Sequence, residues 1–211
     1  MNLPLCGSRI LAISGRWPIT GGILGVCLMA SPAFARTSAP LLAPLHDVTI
    51  DYSLEPPNHT PIDVVVQAQA GGQKLRVHGE NLPVELVIDR AAQVAHIMLP
   101  IAAAYANVSI AGQDPQRGVL QHAVFTRHGA RRVAGLGCTD WSAIWANGHA
   151  NACITADGVI LEANLISEHH GTTRIVAHRV TEGPISRENF VVPANYTNTG
   201  AFPIPAFDPG Q

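Results

Sequence analysis

Apolar and polar positions alternate along most of the chain beyond residue 46, and a period of two marks half-buried strands. Val48, Ile50, Tyr52 and Leu54 alternate with Thr49, Asp51, Ser53 and Glu55. Segments 62–70 and 73–78 flank Gly71-Gly72, a dipeptide that tolerates the positive φ of a tight hairpin turn. In the second of them Leu75 and Val77 face one way and Lys74, Arg76 and His78 the other. Segment 84–88 turns at Asp89-Arg90 into 93–99. The pattern then changes. Segment 100–110 is apolar and alanine-rich, and fits either a strand or a lid-like loop. Over 115–127 the spacing of Leu120, Ala123 and Val124 predicts a helix, with Asp114 placed to cap it and Gly129 to end it. Strands resume at 138–146 and 150–156, joined across Asn147-Gly148, a strong hairpin signal. Asp157-Gly158 turns into 159–166, and 168–171 links that strand to 172–181. Antiparallel strands with short turns and one helix predict a mainly β domain. Its expected form is a single curved antiparallel sheet, an open half-barrel covered by one or two short helices. A small closed barrel is the alternative.

The first 35 residues read differently. Arg9 and Arg16 precede an uncharged apolar run over 19–30, and Ala33-Phe34-Ala35 ends it with small residues at the positions a signal peptidase reads. The run is too short to span a bilayer, which takes about 20 residues. Cleavage after Ala35 predicts a periplasmic or secreted protein with no integral membrane segment. Residues 36–45 then form a linker, 46–196 the domain and 197–211 a disordered proline-rich tail. Leu24 three places before Cys27 suggests a lipidation site, but Val26 is larger than the small residue usual before a lipidated cysteine.

Removing the leader leaves 176 residues, enough for one domain with its own core. They carry eleven basic and fifteen acidic side chains, a net charge of −4, and Lys74 is the only lysine. Nucleic acid and anionic membranes favour a basic surface, so neither is an expected partner.

Two cysteines leave with the leader, and the remaining pair, Cys138 and Cys153, is expected to form a disulfide in an oxidising compartment. A two-residue turn at Asn147-Gly148 sets Trp145 opposite Ala150, Ala143 opposite Ala152 and Trp141 opposite Ile154. Large residues facing small ones read as a packed layer, or else as the aromatic wall of a ligand cavity formed by Trp141 and Trp145. The same register puts Cys138 opposite Asp157 and Cys153 opposite Ser142. That separates the cysteines by about 13 Å along the strands, against the ~7 Å that a disulfide spans. Gly135 and Gly137 offer a way to fold back.

Signals for catalysis are sparse. His149, His169-His170 and His178 cluster in or beside the C-terminal hairpins, yet no pair has zinc-protease spacing and there is no Cys-x-x-Cys. No nucleophile elbow or phosphate-binding glycine loop occurs. No catalytic residue, cofactor or metal is expected.

Three stretches carry a resemblance: Gly137-Cys138-Thr139-Asp140-Trp141, then Cys153-Ile154-Thr155-Ala156-Asp157-Gly158-Val159, then Phe190-Val191-Val192-Pro193-Ala194-Asn195-Tyr196. They resemble a family of uncharacterised bacterial exported proteins. That family is similar to the periplasmic lipoprotein-localisation carriers, in which an open half-barrel wraps around helices. The resemblance implies the fold, and it carries no assigned activity. The expected function is a non-enzymatic binding protein that holds a lipid, acyl chain or apolar peptide inside the half-barrel. A structural or protein-interaction module with a self-filled core is the alternative. A metal-dependent hydrolase ranks below both.

Overall fold

The alternation resolves into twelve strands in a computed structural model of the chain, which describes residues 39–111, 119–146, 148–167 and 171–200. They are β1 (Val48–Glu55), β2 (Ile62–Ala68), β3 (Lys74–His78), β4 (Glu85–Asp89), β5 (Val94–Leu99) and β6 (Ala104–Ser109). After these come β7 (Val124–Val133), β8 (Leu136–Trp145), β9 (Gly148–Ile154), β10 (Ile160–Ser167), β11 (Gly171–Glu182) and β12 (Thr197–Asn198). The leader with its Ala35 cleavage point, Cys27, the Asp114 cap, Asn147, His169-His170 and the tail from Phe202 lie outside the described residues.

All twelve strands join one sheet in the order β12-β6-β5-β4-β3-β2-β1-β11-β10-β9-β8-β7. Two antiparallel meanders meet where β1 pairs with β11, with Val48 opposite Glu182 and Glu55 opposite Arg174. The two edges, β12 and β7, do not pair with each other, so the sheet is open and not a closed barrel.

Four expectations change. The helix over 115–127 is replaced, in its described part, by a single 3-10 turn at Val119–His122 followed by β7, which runs through Gly129. β-branched and aromatic residues at Val124, Phe125 and Thr126 suit a strand, and they pair with Ile144, Ala143 and Ser142 of β8. Segment 100–110 is no lid: a turn at Pro100–Ala102 leads into β6, and Ala103 adopts the left-handed conformation between them. Residues 197–199, expected to open the disordered tail, are ordered instead: β12 pairs with β6 in parallel and the Thr199 N–H donates to the Tyr105 carbonyl at 2.9 Å.

The fourth change concerns the tryptophan hairpin. Trp145 lies opposite Gly148, Ala143 opposite Ala150 and Trp141 opposite Ala152. Gly148 belongs to β9 and not to the turn. A Cβ there would sit 3.1 Å from Trp145 Cζ2 and 2.7 Å from the Ile166 carbonyl oxygen, so the glycine makes room for the indole and the neighbouring strand. The shifted register puts Asp140 opposite Cys153, which brings Cys138 within disulfide reach.

The described helical elements are 3-10 turns of three or four residues. Among the described residues, irregular chain, and no longer helix, covers the sheet. After Gly183 the chain crosses β3 to β6, and Phe190 enters a core with Val87 and Met98, flanked by Tyr105, Ile185, Val192 and Tyr196. Ser186 caps the turn at Arg187–Phe190 by accepting from the Glu188 N–H. A larger core gathers Val48, Ile50, Tyr52, Val64 and Ala68 with Leu161, Val159 and the two cysteines.

Candidate functional site

Cross-strand partners share a face of the sheet. Ile50 and Tyr52 of β1 lie on the face that also carries Val66, Ala68 and Leu75. Followed across β11, β10 and β9, the same face reaches Trp141 of β8 and Arg127 of β7. Residues 39–45, which the sequence reading treats as part of a linker, lie across it. The Leu45 N–H donates to the Asp157 carbonyl at 2.9 Å, and the Gly71 N–H donates to the Pro44 carbonyl at 2.6 Å.

Two glycines make this crossing feasible. Gly158 has φ +91°, and a Cβ there would fall 2.2 Å from the Ala43 carbonyl oxygen. Gly72 has φ +63°, and a Cβ there would meet Arg90 Nη1 at 2.9 Å and Ala43 Cβ at 3.2 Å. The sequence identifies both as turn residues. Their second role, leaving space for residues 39–45, depends on chain that is distant in sequence.

A cavity lies on each side of the crossing segment. One of about 200 Å³ is lined by Leu42, Ala43 and Pro44 together with Ile50, Tyr52, Val66 and Leu75. Inside it the Tyr52 hydroxyl donates to the Ile160 carbonyl at 2.6 Å, and burial pushes its pKa far above the usual phenol range. The group therefore stays a neutral donor. The second cavity, about 300 Å³, is bounded by Ala39, Pro40 and Leu41 on one side and by Trp141, Ile154, Thr139 and Arg127 on the other. Trp141 is thus beside a cavity, whereas Trp145 packs against Gly148.

Cys138 and Cys153 are joined, with Cα atoms 5.4 Å apart. Both are buried. In register, Cys153 of β9 sits between Asp140 of β8 and Glu162 of β10. The Arg131 fork ties those two carboxylates, donating to Asp140 at 2.8 Å and to Glu162 at 2.7 Å. Arg174 continues the chain by bridging Glu162 to Glu55. Partial burial pushes the Glu162 carboxyl upward, but hydrogen bonds and charge from Arg131 and Arg174 outweigh it, and the net pKa is lowered. Five strands are stitched by one ion network, a long-range set that spacing along the chain gave no means to find.

His149 and His178 are exposed, and among the described residues no three His, Cys, Asp or Glu side chains converge as metal ligands would. No described helix is long and apolar enough to cross a membrane.

No family model matches this sequence, and no curated protein matches it. Solved structures do resemble it in fold. An uncharacterized conserved protein from Thermus thermophilus superposes with TM-score 0.54 at 9% identity, over 74% of this chain and 91% of that one. MucB gives 0.50 at 13% identity over 73% of this chain, which spans 60% of MucB. A LolA superfamily protein from Nitrosomonas europaea is similar at TM-score 0.37 and 6% identity, over 72% and 92% of the two chains. Identities this low speak to the fold alone.

Proposed function

We propose that this chain is an exported, non-enzymatic binding protein that holds an apolar, lipid-like ligand on the sheet face crossed by residues 39–45. The observation that carries the reading is the pair of cavities flanking that segment, of about 200 and 300 Å³, walled mainly by Leu, Ile, Val, Ala and Trp side chains. Small-molecule sites have this character, apolar walls with a few polar groups, though these volumes stand at or below the small end of the usual range. Export is supported by the joined cysteines, since such bonds persist in oxidising compartments. Release follows cleavage after Ala35, which N-terminal sequencing of the mature protein checks.

Extraction and mass spectrometry of lipid that co-purifies with the exported protein tests the central claim. Binding of phospholipid to Trp141→Ala then separates it from the second reading, an interaction module whose sheet face is filled by its own chain. Residues 39–45 favour that second reading, because they already occupy the middle of the face. As part of a cavity wall, Trp141 is needed for binding and its loss costs little stability. As part of a filled core, its truncation costs ~3–5 kcal/mol and no lipid is bound by either form.

A further inference from the structure

Among the described residues, the cavity beside Trp141 has one charged lining residue, Arg127, and no acidic one. Arg127 lies directly opposite Trp141 across the β7–β8 pair. Its guanidinium has no carboxylate partner among the described residues, in contrast to Arg131, Arg174 and Arg179, each held by an acid. The Thr139 hydroxyl, two residues from Trp141 on the same side of β8, also lines the cavity without a hydrogen-bond partner among the described residues. Thr155, the other hydroxyl there, is engaged, accepting from the Val159 N–H at 2.9 Å and donating to Asp157. One cation and one hydroxyl are thus left over at the mouth of an apolar space. The 119–136 stretch that supplies Arg127 contains no Asp or Glu, although the mature chain as a whole is acidic.

We infer that this cavity selects a single-chain amphiphile with a carboxylate head, a fatty-acid anion, whose head meets Arg127 and Thr139 while its chain lies against Trp141, Ile154 and Leu41. A planar guanidinium matches a carboxylate with two parallel hydrogen bonds, and one unpaired positive charge matches one negative head. The inference rests on the lipid-like reading above and adds the head group to it.

Isothermal titration of the purified protein with decanoate, decanol and decyltrimethylammonium tests it. The chain is the same in all three and only the head changes. Decanoate is expected to bind at least tenfold more tightly than decanol, with decyltrimethylammonium weakest. Raising the salt concentration should shrink the decanoate advantage and leave decanol unmoved, because an exposed guanidinium is screened. In Arg127→Gln, decanoate affinity should fall to that of decanol while decanol affinity is retained. Thr139→Val should lose a smaller part of the preference. Equal binding of decanoate and decanol by the unaltered protein, or a preference that survives Arg127→Gln or high salt, overturns the head-group assignment and leaves the lipid-like reading intact. Absence of binding by all three overturns both. The salt arm needs no variant, so the result does not depend on Arg127→Gln folding.

Discussion

The two faces of this sheet are covered by different means. Over β3 to β6 the C-terminal chain drives an aromatic side chain into the strands, and Val87, Met98 and Phe190 are left 0–2% exposed. On the opposite face a short segment, residues 39–45, crosses with Ala and Pro at four of its seven positions and is tied by backbone hydrogen bonds to two turns. An aromatic anchor buries much apolar area and closes its space, whereas small residues on backbone ties bury little and leave cavities on either side. A ligand gains entry where the cover is weak. Under the function proposed above, the ligand belongs on the face of Tyr52 and Trp141, and the Phe190 face serves stability.

Phe190→Ala attacks the closed side and is expected to have the largest effect. It should cost ~3–5 kcal/mol in denaturant unfolding by opening a void among Val87, Met98 and Tyr105. A loss below about 1 kcal/mol would mean the aromatic anchor is not what holds the C-terminal segment.

Removing the disulfide comes next. Cys138 and Cys153 are 15 residues apart, and opening a loop of that size is worth ~3 kcal/mol in the chain-entropy account. The Cys138→Ala, Cys153→Ala double variant should show that loss by thermal or chemical unfolding. Intact mass before and after reduction and alkylation should find no free thiol in the mature oxidised protein.

Gly158→Ala attacks the open side. Its φ of +91° and the 2.2 Å approach to the Ala43 carbonyl oxygen leave no space for a methyl group. A cost of about 1–3 kcal/mol is expected, by strain at a left-handed position. Limited proteolysis should show faster cleavage within residues 39–45, with the sheet protected. Unchanged cleavage would show that the crossing segment is not held by this turn.

Acid should act through Glu162, and the effect is the smallest of the four. Its pKa is lowered in the folded protein. The stability it contributes is therefore complete above the unfolded value, about 4.3, and is lost as pH falls through the lower folded value. Glu162→Gln should flatten the stability–pH curve on that acid limb and leave it parallel to the original at neutral pH. An identical acid limb in both proteins would assign the acid sensitivity elsewhere.

Much of this architecture is legible in the alternation alone. Val48, Ile50 and Tyr52 against Thr49, Asp51 and Ser53 identify β1 and its buried side, since a strand with one buried face imposes a period of two on its own sequence. The Gly71-Gly72 and Asp157-Gly158 turns, and the pairing of Cys138 with Cys153, follow from local backbone freedom and from the compartment. Over the described part of 115–127 the expected helix gives way because β8 offers strand partners to Val124, Phe125 and Thr126, while Leu120 stays in a 3-10 turn ahead of the strand. The tryptophan hairpin slips because Gly148 is needed under the Trp145 ring, a demand made by side-chain packing and invisible in a turn motif. Local periodicity and turn chemistry thus determined which segments are strands and which way they face. Only the tertiary structure decided what covers each face, that Arg127 and Trp141 meet at a cavity, and that Arg131 and Arg174 stitch five strands. The Arg131–Glu162 and Arg174–Glu55 pairs join residues 31 and 119 positions apart, and the wall that Leu41 adds to the cavity at Trp141 comes from the far end of the domain, so no local pattern could announce either.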